Sequence, residues 1–225
     1  MSMGGRLRIA IVGMGGALAL GLLPLGTGAA AGSSATVCSG SLAPGTYHSL
    51  VVPAGDTCDL GNGPVTVVGG TTVEPGATLM LGQEDPGGPL IGTFRGGLVA
   101  DHAAQVQIHN AVITGGVNVQ GGSGPFGCTV PFGPTCFTDF EDDVINGGAT
   151  INGYDGFWLG FIRNQVNGTT AITNNNQSDD EIDVGSNSIN GNLICSGNTP
   201  TENTGDSPSG PDGVTGHDTC NESSG

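Results

Sequence analysis

The stretch Ile145-Asn146-Gly147-Gly148-Ala149-Thr150-Ile151 returns as Val166-Asn167-Gly168-Thr169-Thr170-Ala171-Ile172, and again as Ile189-Asn190-Gly191-Asn192-Leu193-Ile194-Cys195. Each copy reads aliphatic-x-Gly, with an aliphatic or cysteine side chain four residues past the glycine. The same motif stands upstream at Val67-Val68-Gly69, Leu90-Ile91-Gly92 and Ile113-Thr114-Gly115, and downstream at Val214-Thr215-Gly216. The seven glycines are spaced 23, 23, 32, 21, 23 and 25 residues apart. The single long gap holds an insertion, placed at residues 121–138, that carries Cys128 and Cys136. Removing about nine of its residues restores the period.

Four residues past the glycines the seven units carry Val73, Gly96, Val119, Ile151, Ile172, Cys195 and Cys220. Alternate residues of a strand face one side, so these slots stack into inward columns. Composition alone is ambiguous, because 44 glycines and only 4% aromatic residues also suit a disordered chain. A disordered chain has no reason to keep a register. Two-helix repeats have periods of about 33 or more, and the L-x-x-L-x-L pattern of leucine-rich repeats is absent. Val, Thr, Gly and Asn form a strand-and-turn vocabulary. The sequence therefore predicts an all-β, single-domain parallel β-helix with rungs of about 21–25 residues, in which each rung buries its core only against its neighbours. The chirality of parallel crossovers makes right-handed winding the expectation.

The six cysteines allow 15 pairings on sequence alone. Position narrows them. Cys195 and Cys220 occupy the same slot of consecutive motifs, where strands lie about 4.8 Å apart, and a disulfide spans Cα atoms roughly 4.4–6.8 Å apart. Cys38 and Cys58 are also about one rung apart at the other end. The expected bridges are Cys38–Cys58, Cys195–Cys220 and, within the insertion, Cys128–Cys136. The outer two would staple the terminal rungs, where a solenoid otherwise frays.

Val37-Cys38-Ser39-Gly40, Pro44-Gly45-Thr46-Tyr47 and Val52-Pro53-Ala54-Gly55 resemble segments of small secreted bacterial β-helix proteins. So do Val73-Glu74-Pro75-Gly76-Ala77-Thr78-Leu79 and Asn192-Leu193-Ile194-Cys195-Ser196-Gly197-Asn198-Thr199-Pro200. The resemblance runs from about Val37 to Cys220 and implies the architecture. It brings no activity with it. The acidic stretches 139–143 and 179–183 and the aromatic group near 154–161 depart from that pattern.

Residues 1–31 read as an export signal. Arg6 and Arg8 precede the apolar run Ile9–Leu25, and Ala29, Ala30 and Ala31 offer a small-residue cleavage site, with Gly32 or Thr36 as the first mature residue. A membrane anchor is the alternative, but the run sits at the short edge of the roughly 17–25 residues a span requires and several glycines break it. Residues 32–225 are then the β-helix domain, with 221–225 as a tail. A secreted, extracellular location follows, and it permits the disulfides.

All 20 acidic residues lie past the leader, against only Arg95 and Arg163 as cations and no lysine. Phosphate backbones are gripped by lysine and arginine, so nucleic acid is excluded as a partner, as is an anionic lipid surface. Cations or neutral partners such as a glycan or cell-envelope polymer remain.

The chemistry-bearing residues are few, and none is assigned a catalytic role. A lyase of the pectate type needs an arginine or lysine base, and Arg163 beside the acidic 139–143 group reads first as a surface ion pair. A glycosidase needs two carboxyls roughly 5–10 Å apart. Opposed pairs between the 139–143 and 179–183 groups, about two rungs apart, would supply them. Calcium is the more economical reading of those runs, with Asp179, Asp180 and Asp183 as ligands, because hard cations take several oxygens. Calcium is the one cofactor the sequence suggests.

Trp158 and Arg163 are the candidate carbohydrate contacts. The alternation of Phe157, Leu159 and Phe161 points one face inward and leaves Trp158 opposite. The asparagines from 164 to 192 read as turn and ladder residues that need no ligand. The four histidines show no metal-binding spacing. Thr71, Thr93, Thr169 and Thr170 hold no single column, which removes a regular threonine array. The primary expectation is a non-catalytic secreted solenoid that presents a surface. A polysaccharide-acting enzyme is the alternative, and a carbohydrate- or calcium-binding module the third. A pocket that places Arg163 or a carboxylate pair beside Trp158 would favour the enzyme, and a featureless wall the scaffold.

Overall fold

The computed structural model describes residues 34–83, 85–122, 136–178, 181–203 and 210–220. Residues 1–33, which include the expected leader, residues 123–135 of the insertion, Asp179, Asp180 and residues 221–225 lie outside the described residues. Strands and turns account for the regular structure, with no helix among the described residues. Every pairing recorded between strands is parallel and joins one rung to the next. The described residues wind as a parallel β-helix of three long sheets, with eight, seven and eight strands.

The first sheet begins at Thr36–Val37 and ends at Leu193–Ser196. The second runs from Gly40–Ser41 to Ile182–Gly185, and the third from Gly45–Tyr47 to Gly213–Val214. A two-stranded sheet, Asp155–Gly156 with Asn176–Gln177, sits between the first and second. Alternation sends every second side chain inward. The first sheet contributes the column Val52, Val73, Ala100, Val119, Ile151, Ile172 and Cys195, almost wholly buried. The third contributes Val67, Phe94, Ile113, Ile145, Val166 and Ile189. The second contributes Leu81, Ile108, Phe140, Phe161 and Val184. Phe140 and Phe161 meet with ring centroids 6.5 Å apart.

The repeat is as read, except in its second unit. Val67 pairs with Phe94, and Phe94 with Ile113, so the equivalent motif is Phe94-Arg95-Gly96 rather than Leu90-Ile91-Gly92. Leu90 is half exposed, and Gly96 occupies the corner rather than the core slot, which belongs to Ala100. The loop around Asp85–Leu90 lengthens one rung and the next rung is short, so the expected 23-residue spacings conceal the shift. Tyr47 pairs with Val67 and supplies one further unit upstream. The insertion also ends earlier than read, because Phe137 and Thr138 already belong to the strand Phe137–Glu141.

The three corners have different chemistry. Between the third and first sheets stand the repeat glycines. A Cβ on Gly96 would collide with the backbone of Gly69 and Gly70, so the motif glycine marks where neighbouring rungs pass backbone against backbone. The other two corners turn on a left-handed residue. Between the second and third sheets these are Gly61, Gly82, Asn110, Asp142, Arg163 and Ser186.

Asparagines behind these corners bond along the axis. Asn164 Oδ1 accepts the N–H of Asp143, and Asn187 Oδ1 that of Asn164. Their amides donate to the carbonyls of Phe140 and Phe161. Asn175 and Asn198 repeat the scheme at the corner between the first and second sheets. The ladder role read for Asn164, Asn175 and Asn187 is the one these side chains perform. Thr46, Thr66 and Thr93 form a short outer column on the third sheet, which passes to Val112 and Val144.

Disulfides join Cys38 to Cys58 and Cys195 to Cys220, with Cα separations of 5.4 and 4.8 Å. Cys58 is paired in register with Gly40, so the first bridge links adjacent rungs obliquely rather than slot to slot. Cys136 is disulfide-bonded as well, and its expected partner Cys128 lies outside the described residues.

Candidate functional site

The outer face of the second sheet departs from the bland surface a scaffold requires. Outward positions of a strand lie in rows along it and in columns across the sheet. Gln105, Gln107 and His109 form the row of one strand, Phe137, Asp139 and Glu141 that of the next, and Trp158, Gly160 and Ile162 that of the third. Register then places His109 beside Glu141, Gln107 beside Asp139, and Phe137 beside Trp158. Asp183 continues the column that runs through Gln107, Asp139 and Gly160. A groove of about 320 Å³ is lined by Gln107, His109, Phe137, Asp139, Glu141, Phe157 and Trp158.

The polar side chains of this face are almost inaccessible although they point away from the core. His109 Nε2 lies 3.0 Å from Asp139 Oδ2, and His109 Nδ1 lies 4.0 Å from Glu141 Oε2, with side-chain exposures of 5% or less for all three. One donor atom from each of His109, Asp139 and Glu141 falls within 4.8 Å of the others. Gln107 Nε2 stands 3.1 Å from the same His109 Nε2.

Arg163 bridges this group to the corner. Its guanidinium donates to Glu141 and to both oxygens of Asp142, with Nε to Asp142 at 3.1 and 3.2 Å and Nη2 to Asp142 at 2.9 Å. Burial works against its charge, but Asp142 and Glu141 together hold its pKa above the ordinary arginine value. The left-handed backbone at Arg163 and at Asp142 puts them in one corner column, so the side chain reaches back one rung. The ion pair expected of Arg163 is thus present, and it uses the arginine up.

Trp158 points outward, as the alternation requires, while Leu159 and Phe161 point in. Phe157 does not share their face. It precedes the strand and is 37% exposed. The Trp158 indole donates to Asp183 Oδ2 at 2.8 Å. A Cβ on Gly160 would strike the Trp158 ring and come within 2.6 Å of Asp139 Oδ1, so the ring lies across the glycine between Asp139 and Asp183. The backbones of Asp139 and Asp183 are two strands apart, about 9.6 Å along the axis at 4.8 Å per strand, and the indole crosses the glycine between them.

Asp183 is the only described member of the expected calcium set, since Asp179 and Asp180 lie outside the described residues. It serves as an acceptor for Trp158 and is buried. The sequence reading missed His109 and carried Asp139 and Glu141 only as members of the acidic group 139–143. Their partners are neighbours through strand register rather than through chain spacing, and the insertion hides that register.

Asp143 sits just behind the cluster in the corner ladder. Burial pushes its carboxyl well above the usual carboxylate range. The N–H of Ala111 opposes this, and the charges of Asp139, Asp142 and Glu141 add to it.

No family model matches the chain, and neither a curated protein nor a solved structure does. Among the described residues no helix is long and apolar enough to cross a membrane.

Proposed function

We propose that the protein is an exported β-helix that binds a neutral glycan along the groove of its second sheet, without turning it over. The observation that carries this reading is the aromatic rim of Phe137, Phe157 and Trp158 beside the part-exposed amide of Gln107, which can donate to and accept from hydroxyls. Aromatic faces give sugars an apolar platform, and a few placed polar groups supply orientation. Uronate polymers are disfavoured, because Arg163 is committed to Asp142 and Glu141 and the rest of the groove is acidic. The leader-like residues 1–31 and the disulfides support export.

Binding is favoured over hydrolysis for two reasons. A catalytic carboxyl must touch the glycosidic oxygen, whereas Asp139 and Glu141 are nearly inaccessible and already engaged by His109 and Arg163. The Trp158 ring also fills the gap between Asp139 and Asp183, where an inverting enzyme would hold its water. Hydrolysis is the second reading, and the close approach of Asp139 to Glu141 favours it.

The test incubates purified mature protein with soluble and insoluble polysaccharides and scores retention and new reducing ends separately. Retention on a neutral glycan, lost in Trp158→Ala and without new ends, is the expected result. New ends that vanish in Glu141→Gln would replace this reading with the hydrolytic one. Retention by no glycan would overturn both.

A further inference from the structure

We propose that His109, Asp139 and Glu141 form a site for one divalent cation of the Zn²⁺ or Mn²⁺ class at the floor of the groove. The inference is independent of glycan binding. The donor set is the first reason. One imidazole and two carboxylates, all nearly inaccessible and with donor atoms within 4.8 Å of one another, come from two adjacent strands. An imidazole shifts preference away from Ca²⁺, which takes oxygen ligands, toward borderline metals. With metal–donor bonds of about 2.1 Å, neighbouring donors of a five- or six-coordinate ion lie roughly 3 Å apart. His109 Nε2 and Asp139 Oδ2 are separated by 3.0 Å.

The second reason is a conflict at one atom. An amide N–H of Gln107 approaches His109 Nε2 at 3.1 Å and asks for a lone pair there. The Asp139 carboxylate approaches the same nitrogen at 3.0 Å and asks for a proton. One ring nitrogen cannot supply both. Turning the Gln107 amide over removes the clash only by making a single N–H serve two acceptors. With the amide turned, a cation in place of that shared proton takes the Nε2 lone pair and serves the Gln107 and Asp139 oxygens together. The same outward row continues to Gln105, wholly buried, whose Oε1 has no hydrogen-bond partner.

The third reason is support around the ligands. Metal-binding carboxylates are themselves held by outer hydrogen bonds, and Arg163 holds Glu141 in this way. The groove leaves a path for the ion and room for water or a hydroxyl as further ligands.

The experiment uses the mature, disulfide-intact protein, freed of metal by chelator, with no glycan present. Calorimetric titration with ZnCl₂ is expected to show one ion per chain and a raised melting temperature, with CaCl₂ at least about tenfold weaker. Affinity should fall as the pH is lowered from about 7.5 to about 5.5, because the ligands must be deprotonated to bind. His109→Gln should weaken binding about a hundredfold or more, a scale set by ligand loss, while Asp101→Asn, at an exposed His–Asp pair, should leave it unchanged. Should the buried variants fail to fold, a wild-type readout remains. Substoichiometric Mn²⁺ should broaden the ring resonances of His109 and spare those of His48, His102 and His217. Saturable binding that survives His109→Gln, equal broadening of all four histidines, or no binding at millimolar metal would each overturn the proposal.

Discussion

Asp143 Oδ1 accepts the backbone N–H of Ala111 from the preceding rung at 2.8 Å, which is the bond that Asn164 makes to Asp143 and Asn187 to Asn164. An acid therefore stands in an asparagine ladder. The asparagines use their amide N–H to reach the carbonyls of Phe140 and Phe161. Register makes Ile108 the equivalent carbonyl for position 143, where Asp143 Oδ2 has no hydrogen-bond partner.

Asp143→Asn should therefore stabilise the protein. Its folded-state pKa is raised, chiefly by burial. Below the unfolded value of about 3.9, both states are protonated and the acid can donate to Ile108 as an amide would. As pH rises past that value the unfolded chain ionises first. Stability is then lost until the folded-state pKa is passed. The substitution should gain about 1–3 kcal/mol at pH 7, the scale of one buried unsatisfied group, and almost nothing near pH 3.5. Urea unfolding in chelator at the two pH values measures it. An equal gain at both would show that ionisation is not the cause.

Gly96 and Gly70 test the corrected register. A Cβ on Gly96 meets backbone of the neighbouring rung, and backbone cannot rotate away, whereas at Gly70 the nearest atom is 3.8 Å distant. Gly96→Ala should cost about 3 kcal/mol or more, and Gly70→Ala less than about 1 kcal/mol. Thermal melts of the two variants decide the matter. Equal tolerance of both would mean that Gly96 does not occupy the crowded corner.

Arg163 and Asp142 should behave as a coupled pair. Arg163→Gln leaves Asp142 and Glu141 as mostly buried carboxylates without their cation, which costs about 3–5 kcal/mol when a buried pair is broken. Adding Asp142→Asn should recover part of that loss, since asparagine tolerates the left-handed backbone at this corner. A double-mutant cycle in urea, at low and high salt, reads the coupling. Strict additivity would show that Arg163 does not act through Asp142.

The architecture was legible because a solenoid writes its fold as a period. Val119, Ile151, Ile172 and Cys195 each stand four residues past a glycine, and each pairs with the next. The period misled where rung lengths offset one another, so Leu90 took the place of Phe94. The site was only half legible. Trp158 and Arg163 stood out by rarity, one as the lone tryptophan and the other as one of only two arginine or lysine residues beyond residue 31. His109 did not, because its meaning depends on Asp139 and Glu141 arriving beside it from across an insertion. A spacing motif such as H-x-x-x-H records ligands on one helix. Ligands on stacked strands leave no fixed offset once a loop intervenes.

The two ends of the Trp158 ring separate structure from recognition. Its N–H bonds to Asp183, while its face lines the groove with Phe157 and Phe137, the latter at a centroid distance of 6.2 Å. Trp158→Phe keeps an aromatic face and removes the N–H, leaving Asp183 one donor short. It should cost about 1.5–3 kcal/mol of stability, the scale of a hydrogen bond to a charged group, and retain most glycan affinity. Trp158→Ala should lose the affinity as well, since stacking needs the ring. Phe157→Ala, at an exposed position, should weaken binding several-fold with almost no change in melting temperature. Affinity electrophoresis beside thermal melts separates the two effects. If Phe157→Ala and Trp158→Ala both leave retention intact, the sugar does not lie in this groove.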